Sequence, residues 1–330
     1  MSTIYIVEQG AVLKKESRRL VVEKEDRILL EIPDFKIERI LLFGNIQITT
    51  QTMKFLLESG IETSFFSIHG KLMGRLAPIE SKNIILRMAQ YERYKDEEFK
   101  LWLAKILVEG KIKNAKALLL RYMRNHPEVD FSQAIEGLEG CLKELPNKTK
   151  VSSTVGVEGR ASAIYFECFG KMFRKELQFT TRTRQPPLDP VNSLLSLGYT
   201  LVTNEMFSMV SGLGFDPYIG YLHEINYGRP SLALDLIEEF RHSIIDRLTL
   251  EIINKEVLKI EDFEEVEGGI YLKDEPRKKY FVHYESRMQK MFIEEKSGEK
   301  VNFRKLFQLQ AQKFSHTLQE KVPYKPFVVK

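Results

Sequence analysis

Two hydrophobic patterns divide the chain. Up to about residue 75, short runs rich in Val, Ile, Leu and Phe ("TIYIVEQ", "RRLVVEKE", "RILLEIP", "IERILLFG", "IETSFFSIHG") alternate with charged or glycine-bearing turns, which predicts strands. One helical stretch, "TTQTMKFLLESG", interrupts them, with Thr49 or Thr50 placed to cap it and Gly60 to end it. From residue 80 onward apolar residues recur at three- and four-residue intervals through "IILRMAQYERYKDEEFKLWLAKILVEGKIKNAKALLLRYMRN", a helical period sustained over many turns. The change falls in "LAPIESKN". It predicts an α+β chain with a small β-rich N-terminal domain, residues 1–78, and a larger all-α C-terminal domain, residues 79–330, with room for one short hairpin at "FEEVEGGIYLKDEP". A length of 330 residues also favours two cores over one.

Within the helical part, "NHPEVD", "LPNKTKVS" and "FTTRTRQPPLDP" read as loops. The last joins Arg182 and Arg184 to three prolines, so it cannot be helical throughout and is expected to be exposed and movable. "SLALDLIEEFR" reads as an amphipathic helix with Ser231 in a capping position and Leu232, Leu234, Ile237 and Phe240 as its buried stripe. Asp235 and Glu238, three apart, share a face, and Glu239 lies about a hundred degrees further round.

Composition narrows the classes. No apolar run is long enough to span a bilayer and the N-terminus lacks a secretory pattern, so the expected address is cytoplasmic, with no membrane partner. Cys141 and Cys168 are too few for a disulfide framework and read as core thiols. A net charge of +4 neither demands nor excludes a polyanion, but basic residues gather in "LKKESRRL", "EGKIKNAKALLLRYMRNH", "TTRTRQPP" and "EPRKKY". Such clusters suit phosphate contacts and equally suit a solvated surface.

Three segments can supply metal ligands. Glu158 lies among Gly, Val and Ala in "STVGVEGRASAIYFECFG", where small neighbours predict close packing and a carboxylate needs a partner. His223 precedes a loop with Gly228 and Pro230, and Asp235 and Glu238 follow it. One imidazole with two or three carboxylates suits Mg²⁺ or Mn²⁺ better than structural zinc. An ordinary hydrogen-bonded histidine, and carboxylates placed by the helix macrodipole, explain the same spacing. A nucleophile elbow and a phosphate-binding glycine loop are both missing.

Four stretches together carry a resemblance: "EGKIKNAKALLLRYMR", "GVEGRASAIYF", "RQPPLDPVNSLLSLGYTLV" and "GYLHEINYGRPSLALDLIEEFR". In this order they resemble the CRISPR-associated DNA endonuclease and integrase of the spacer-acquisition module, over most of residues 1–245. Many relatives have glutamine where this chain has Ala115. The resemblance implies a β-rich N-terminal domain that mediates dimerisation and partner contacts, and a homodimer joined to a small ferredoxin-like CRISPR-associated partner nuclease in a heterohexameric integration complex. It implies divalent-metal ligands at Glu158, His223 and Glu238, which are also the catalytic residues. Asp235 falls on an acidic position behind the metal ligands or beside DNA, and Tyr199 on an active-site tyrosine. Arg241 matches a basic position near DNA; Arg182 and Arg184 would hold the backbone of double-stranded or branched DNA. The implied reaction is attack of a fragment's 3′-hydroxyl on a phosphodiester at the CRISPR repeat boundary. A nuclease of branched DNA without integration and a catalytically silent DNA-binding scaffold are the alternatives.

Overall fold

A computed structural model describes residues 2–78, 81, 83–174, 179–293, 298–320 and 322–329. Its N-terminal part contains strands β1 (Ser2–Ile6), β2 (Val12–Glu16), β3 (Arg19–Lys24), β4 (Arg27–Pro33), β5 (Ile37–Phe43) and β6 (Gln47–Ile48), then helix α1 (Thr50–Glu58) and strands β7 (Glu62–Phe66) and β8 (Leu72–Leu76). They form two sheets, ordered β1-β5-β7-β8 and β4-β3-β2-β6. In the first, β1, β5 and β7 run parallel and β8 antiparallel. Thr49 caps α1 by accepting from Thr52 N at 3.3 Å, and Gly60 turns the chain at φ 70°.

The sequence of β5, "IERILLF", is apolar almost throughout because both its faces are covered. Ile40 and Leu42 join Ile4, Leu13, Leu20 and Leu56 in a core between the sheets, while Leu41 and Phe43 face the helices. The first sheet therefore belongs to both cores. Three strands are absent from the sequence reading, β2, β8 and the two-residue β6. β2, "VLKKE", buries only Leu13 and keeps its lysines at the surface, and β8, "LMGRL", contains no fully buried residue. Neither shows the apolar density of its neighbours.

The helical part comprises α2 (Ile84–Lys95), α3 (Glu97–Asn125), α4 (Ser132–Glu144), α5 (Val151–Gly170), α6 (Pro190–Leu213), α7 (Ser231–Ile237), α8 (Arg247–Asn254), α9 (Asp274–Gln289) and α10 (Phe303–Glu320). Two two-stranded ladders accompany them: β9 (Phe263–Val266) with β10 (Gly269–Leu272), in the segment read as a hairpin, and β11 (Phe292–Ile293) with β12 (Lys300–Val301). Cys141 and Cys168 are free and buried, as their sequence surroundings suggest. Asp96 caps α3, accepting from Phe99 N at 2.9 Å, and Asp189 caps α6, accepting from Asn192 N at 2.7 Å. Gly214 ends α6 at φ 100°, a conformation that disfavours any residue with a β-carbon.

Residues 322–329 run back beneath α7. Tyr324 OH donates to Glu239 Oε1 at 2.8 Å, and Phe327 stacks on Phe240 at 5.3 Å. Asn114 of α3 donates to the carbonyls of Glu239 and Phe327, both at 2.8 Å, and accepts from Val329 N at 2.7 Å.

A buried ion network joins the sheet to the helices. Glu205 of α6 lies 2.9 Å from Arg39 Nη1 of β5 and accepts from Arg304 of α10 at 2.8 and 2.9 Å. Tyr284 of α9 donates to Glu205 at 3.0 Å, and Arg304 continues to Glu285, which Tyr5 of β1 also reaches at 2.6 Å. Burial opposes ionisation of Glu205, but Arg39 and Arg304 outweigh it and bring its pKa down to about 2. Its contribution to stability is thus present above pH 4.5 and lost as pH falls through about 2. Glu205→Ala takes the paired carboxylate from buried Arg39 and leaves Arg304 with Glu285 alone, and is expected to cost about 3–5 kcal/mol, read as a lower urea midpoint near neutral pH. An unchanged midpoint would show that the junction does not depend on this network.

Candidate active site

The site lies where α3, α5, α6 and the α7–α8 run meet. α7 is not the surface helix its pattern suggests. Ser231, Leu232, Ala233, Asp235, Leu236 and Ile237 are all buried, whereas Leu234 is only partly so. Ser231 does not cap it; its hydroxyl donates to Glu224 O at 2.9 Å and closes the preceding loop. No carboxylate lies in its first turn, so the macrodipole does not explain the acidic residues.

Asp235 explains the position of His223. Its carboxylate accepts from the backbone N–H groups of Tyr221, Leu222 and His223 at 2.5, 3.0 and 2.9 Å, folding the loop onto the helix. It also lies 2.8 Å from His223 Nδ1. An ionised carboxylate only accepts, so Nδ1 carries the proton and the lone pair of neutral His223 sits on Nε2. That atom is 3.8 Å from Glu238 Oε1.

Glu238, at the end of α7, is 2 % exposed. Its Oε1 lies 3.1 Å from Arg241 Nη2, and its Oε2 lies 2.7 Å from Lys111 Nζ of α3. The same ammonium pairs with Glu158 of α5, which Ser162 also approaches at 2.8 Å. Burial would push the Glu238 carboxyl up, but Arg241 and Lys111 hold it well below the usual carboxylate range. The sequence expectation that small residues around Glu158 serve close packing is overturned. A β-carbon at Gly156 or Gly159 would meet nothing within 4 Å, so these glycines leave that face of α5 open.

The open face borders a cavity of about 540 Å³, lined in part by Glu158, Lys111, Arg182, Arg184, Tyr199 and Arg241. Of the two arginines in the proline-rich loop, Arg184 is exposed and Arg182 is not free. Arg182 donates to Asn192 Oδ1 at 2.8 Å and Ser196 Oγ at 3.1 Å, and Phe179 buries the start of the loop, so this segment is fastened rather than loose. The guanidinium groups of Arg182 and Arg241 lie 5.4 and 4.8 Å from the Tyr199 ring. The Tyr199 hydroxyl donates to Asp246, whose other oxygen accepts from Tyr165 at 2.8 Å.

The three expected metal ligands are thus gathered but do not converge on one point. Glu158 and Glu238 share Lys111, and His223 faces Glu238 alone. Among the described residues, no group of three or more His, Cys, Asp or Glu side chains stands in ligating geometry. The donor set nevertheless suits a hard cation: two carboxylates, one imidazole nitrogen held by a supporting carboxylate, and Glu238 Oε2, a buried oxygen held by charge without a hydrogen bond.

Sequence reasoning placed Lys111 only in a basic cluster and overlooked Asp246 and Tyr165. A signal for Asp246 exists. It lies after two isoleucines in "RHSIIDR", the same out-of-place argument that marks Glu158. The segment His242–Asp246 is a π-helical turn between α7 and α8, a widening often found where helices carry function.

Comparison with known proteins bears on the fold and on the family. The family model described as CRISPR associated protein Cas1 matches residues 4–286. The chain is 35 % identical over 333 residues to CRISPR-associated endonuclease Cas1 3 of Thermus thermophilus, covering 100 % of this chain and 98 % of that relative. A solved Cas1 structure from Thermotoga maritima aligns at a TM-score of 0.82 and 26 % identity, with 100 % of both chains covered. A chain of a Cas6-RT-Cas1–Cas2 complex aligns at a TM-score of 0.85 and 25 % identity over 100 % of this chain and 36 % of that one.

The tyrosine-bound carboxylate has a measurable signature. Burial pushes the Asp246 pKa from 3.8 to about 6, against the pull of its tyrosine hydrogen bonds and nearby arginines. Between these values the folded protein holds a proton that the unfolded chain has released, so this group's contribution to stability falls as pH rises through that window. Asp246→Asn should remove that component, and a comparison of thermal midpoints from pH 4 to 6 reads the difference in slope. Parallel slopes for the two proteins would exclude the assignment.

Proposed function

The chain belongs to the Cas1 family of CRISPR-associated proteins, and on that premise we propose that it is a divalent-metal-dependent DNA endonuclease and integrase. It inserts short DNA fragments as spacers into a CRISPR array. The observation that carries this reading is the pair Glu158 and Glu238, drawn from separate helices onto one cation beside an arginine-bearing cavity. Glu158, His223 and Glu238 would hold Mg²⁺ or Mn²⁺. Such an ion supplies Lewis-acid stabilisation of charge on phosphoryl oxygens.

The remaining chemistry belongs to the protein. Asp235 fixes the tautomer and orientation of His223, keeping Nε2 toward Glu238. Arg241 balances the charge of Glu238 from a site on the cavity wall, and Arg184 offers an exposed cation to the DNA backbone. Tyr199 is pinned by Asp246 and both flanking arginines, so its ring gives the wall a fixed shape. In the reaction the 3′-hydroxyl oxygen of a fragment gives its proton to water and forms a bond to phosphorus, while the bond from phosphorus to the 3′-oxygen of the cut strand breaks and that oxygen leaves with the electron pair and takes a proton from water. Water in place of the hydroxyl gives endonuclease cleavage. Double-stranded and branched DNA are the substrates.

Glu158→Ala and His223→Ala should each lower strand transfer with labelled fragments by at least 100-fold, the scale on which removal of electrostatic stabilisation acts, and should weaken Mn²⁺ binding. Activity and binding equal to wild type would sink the ligand assignment. Cleavage without joined product would leave a nuclease and remove the integrase.

We also propose a homodimer built through the N-terminal part, acting with a small ferredoxin-like CRISPR-associated partner in a heterohexameric complex. In support, β4 is an edge strand whose Ile28, Leu29 and Leu30 are 60, 48 and 38 % exposed, followed by Phe35 at 66 %. An open apolar edge of this kind calls for a pairing strand, and a second copy supplies one. The Cas6-RT-Cas1–Cas2 complex supports an assembly with a CRISPR-associated partner. Leu29→Arg should move the sedimenting species from dimer toward monomer, and a persistent dimer would place the interface elsewhere.

A further inference from the structure

We infer that Lys111 is a built-in counter-ion at the candidate metal centre, which must withdraw before a divalent ion can enter and so sets the affinity for it. The inference rests on the reading of Glu158 and Glu238 as metal ligands and concerns what this chain does before they are loaded. Lys111 projects from the middle of α3, and its side chain is 12 % exposed. Its ammonium pairs with Glu158 Oε1 and lies 2.7 Å from Glu238 Oε2. It therefore takes the space between two carboxylates, one of them almost fully buried, where an added cation would gain most. Two like charges this close in a protein interior repel strongly unless a positive charge separates them.

Lysine suits a displaceable role. It is a point charge on a flexible stem, whereas an arginine would grip both carboxylates through a rigid fork. The contact with Glu238 Oε2 is a single ion pair at 2.7 Å, so the ammonium is held there at one point. The stem can swing without moving α3, because Lys111 already borders the cavity of about 540 Å³ that also meets Arg182, Arg184 and Arg241.

Charge balance gives the consequence. Lys111 and Arg241 neutralise Glu158 and Glu238 in the form described. Exchange of the ammonium for a divalent ion raises the local charge by one unit, and the released ammonium adds another beside the arginines. Loading then makes the centre and the cavity beside it more positive, which suits a phosphate backbone.

The test is Mn²⁺ binding without DNA, measured as free Mn²⁺ by electron paramagnetic resonance, for wild type, Lys111→Met and Lys111→Gln. Circular dichroism selects the folded variants, and glutamine is retained because it keeps a polar contact where methionine could fail to fold. The expected result is a dissociation constant at least tenfold lower in a folded variant. Its metal-free thermal midpoint should fall below wild type, and Mn²⁺ should raise it by more than it raises wild type. Saturable wild-type binding with equal or weaker binding in the folded variants overturns the role of Lys111 and leaves the ligand assignment standing. No saturable binding in any of the three overturns both.

Discussion

A carboxylate taken out of water must meet a cation or keep its proton, and the helical half of this protein is arranged around that constraint. Glu205 and Glu238 each lie against two or more cationic partners, which hold both well below the ordinary range. Glu239 and Asp246 are equally buried but meet hydroxyls and amides, and burial raises them to about 7 and about 6. Four acidic groups in one interior thus divide by the chemistry of their neighbours. The two ionised ones sit where the structure joins elements from distant parts of the chain, one at the sheet-to-helix junction and one in the candidate active site.

The two places are mechanically linked. α6 carries Glu205 toward the sheet and Tyr199 toward the cavity from neighbouring turns, so the ion network anchors the same stretch of helix that forms the wall of the site. The double-faced sheet gives this helix a firm support, since residues of alternate parity on β5 serve separate cores. The candidate site consequently rests on α3, α5 and α6, with Glu238, Arg241 and Asp246 on the run that joins α7 to α8, and His223 and the two loop arginines on connecting segments tied down by a buried or capping side chain.

Much of this was legible in the sequence, for reasons that also explain what was not. Strands with dense apolar runs, such as β5, stand out, but β2 and β8 are held by backbone pairing with few buried side chains, so periodicity gives no signal. Leu232 and Ile237 on α7, and Phe240 just after it, were correctly read as buried, yet the helix is covered on nearly every side, and a stripe cannot reveal that polar residues such as Asp235 are also covered. Glu158 was conspicuous because its neighbours are small, although they act by leaving space. Lys111 was hidden for the opposite reason: a lysine among lysines looks like surface, and only the fold shows which one turns inward. Asp235 illustrates the limit best, since its spacing to His223 is visible while its three backbone hydrogen bonds are not.

The segment 322–329 carries an implication for how the protein comes into being. Asn114 on α3 bonds to residues 213 and 215 positions later, and Glu239 to a tyrosine 85 positions later. Contacts this distant along the chain cannot form early in folding. On the ribosome, α3, α5 and α7 all emerge before the strap that seats Asn114 and Glu239 exists. The helices that bear the candidate site are therefore made before the segment that fastens Asn114 and Glu239, and that fastening follows them.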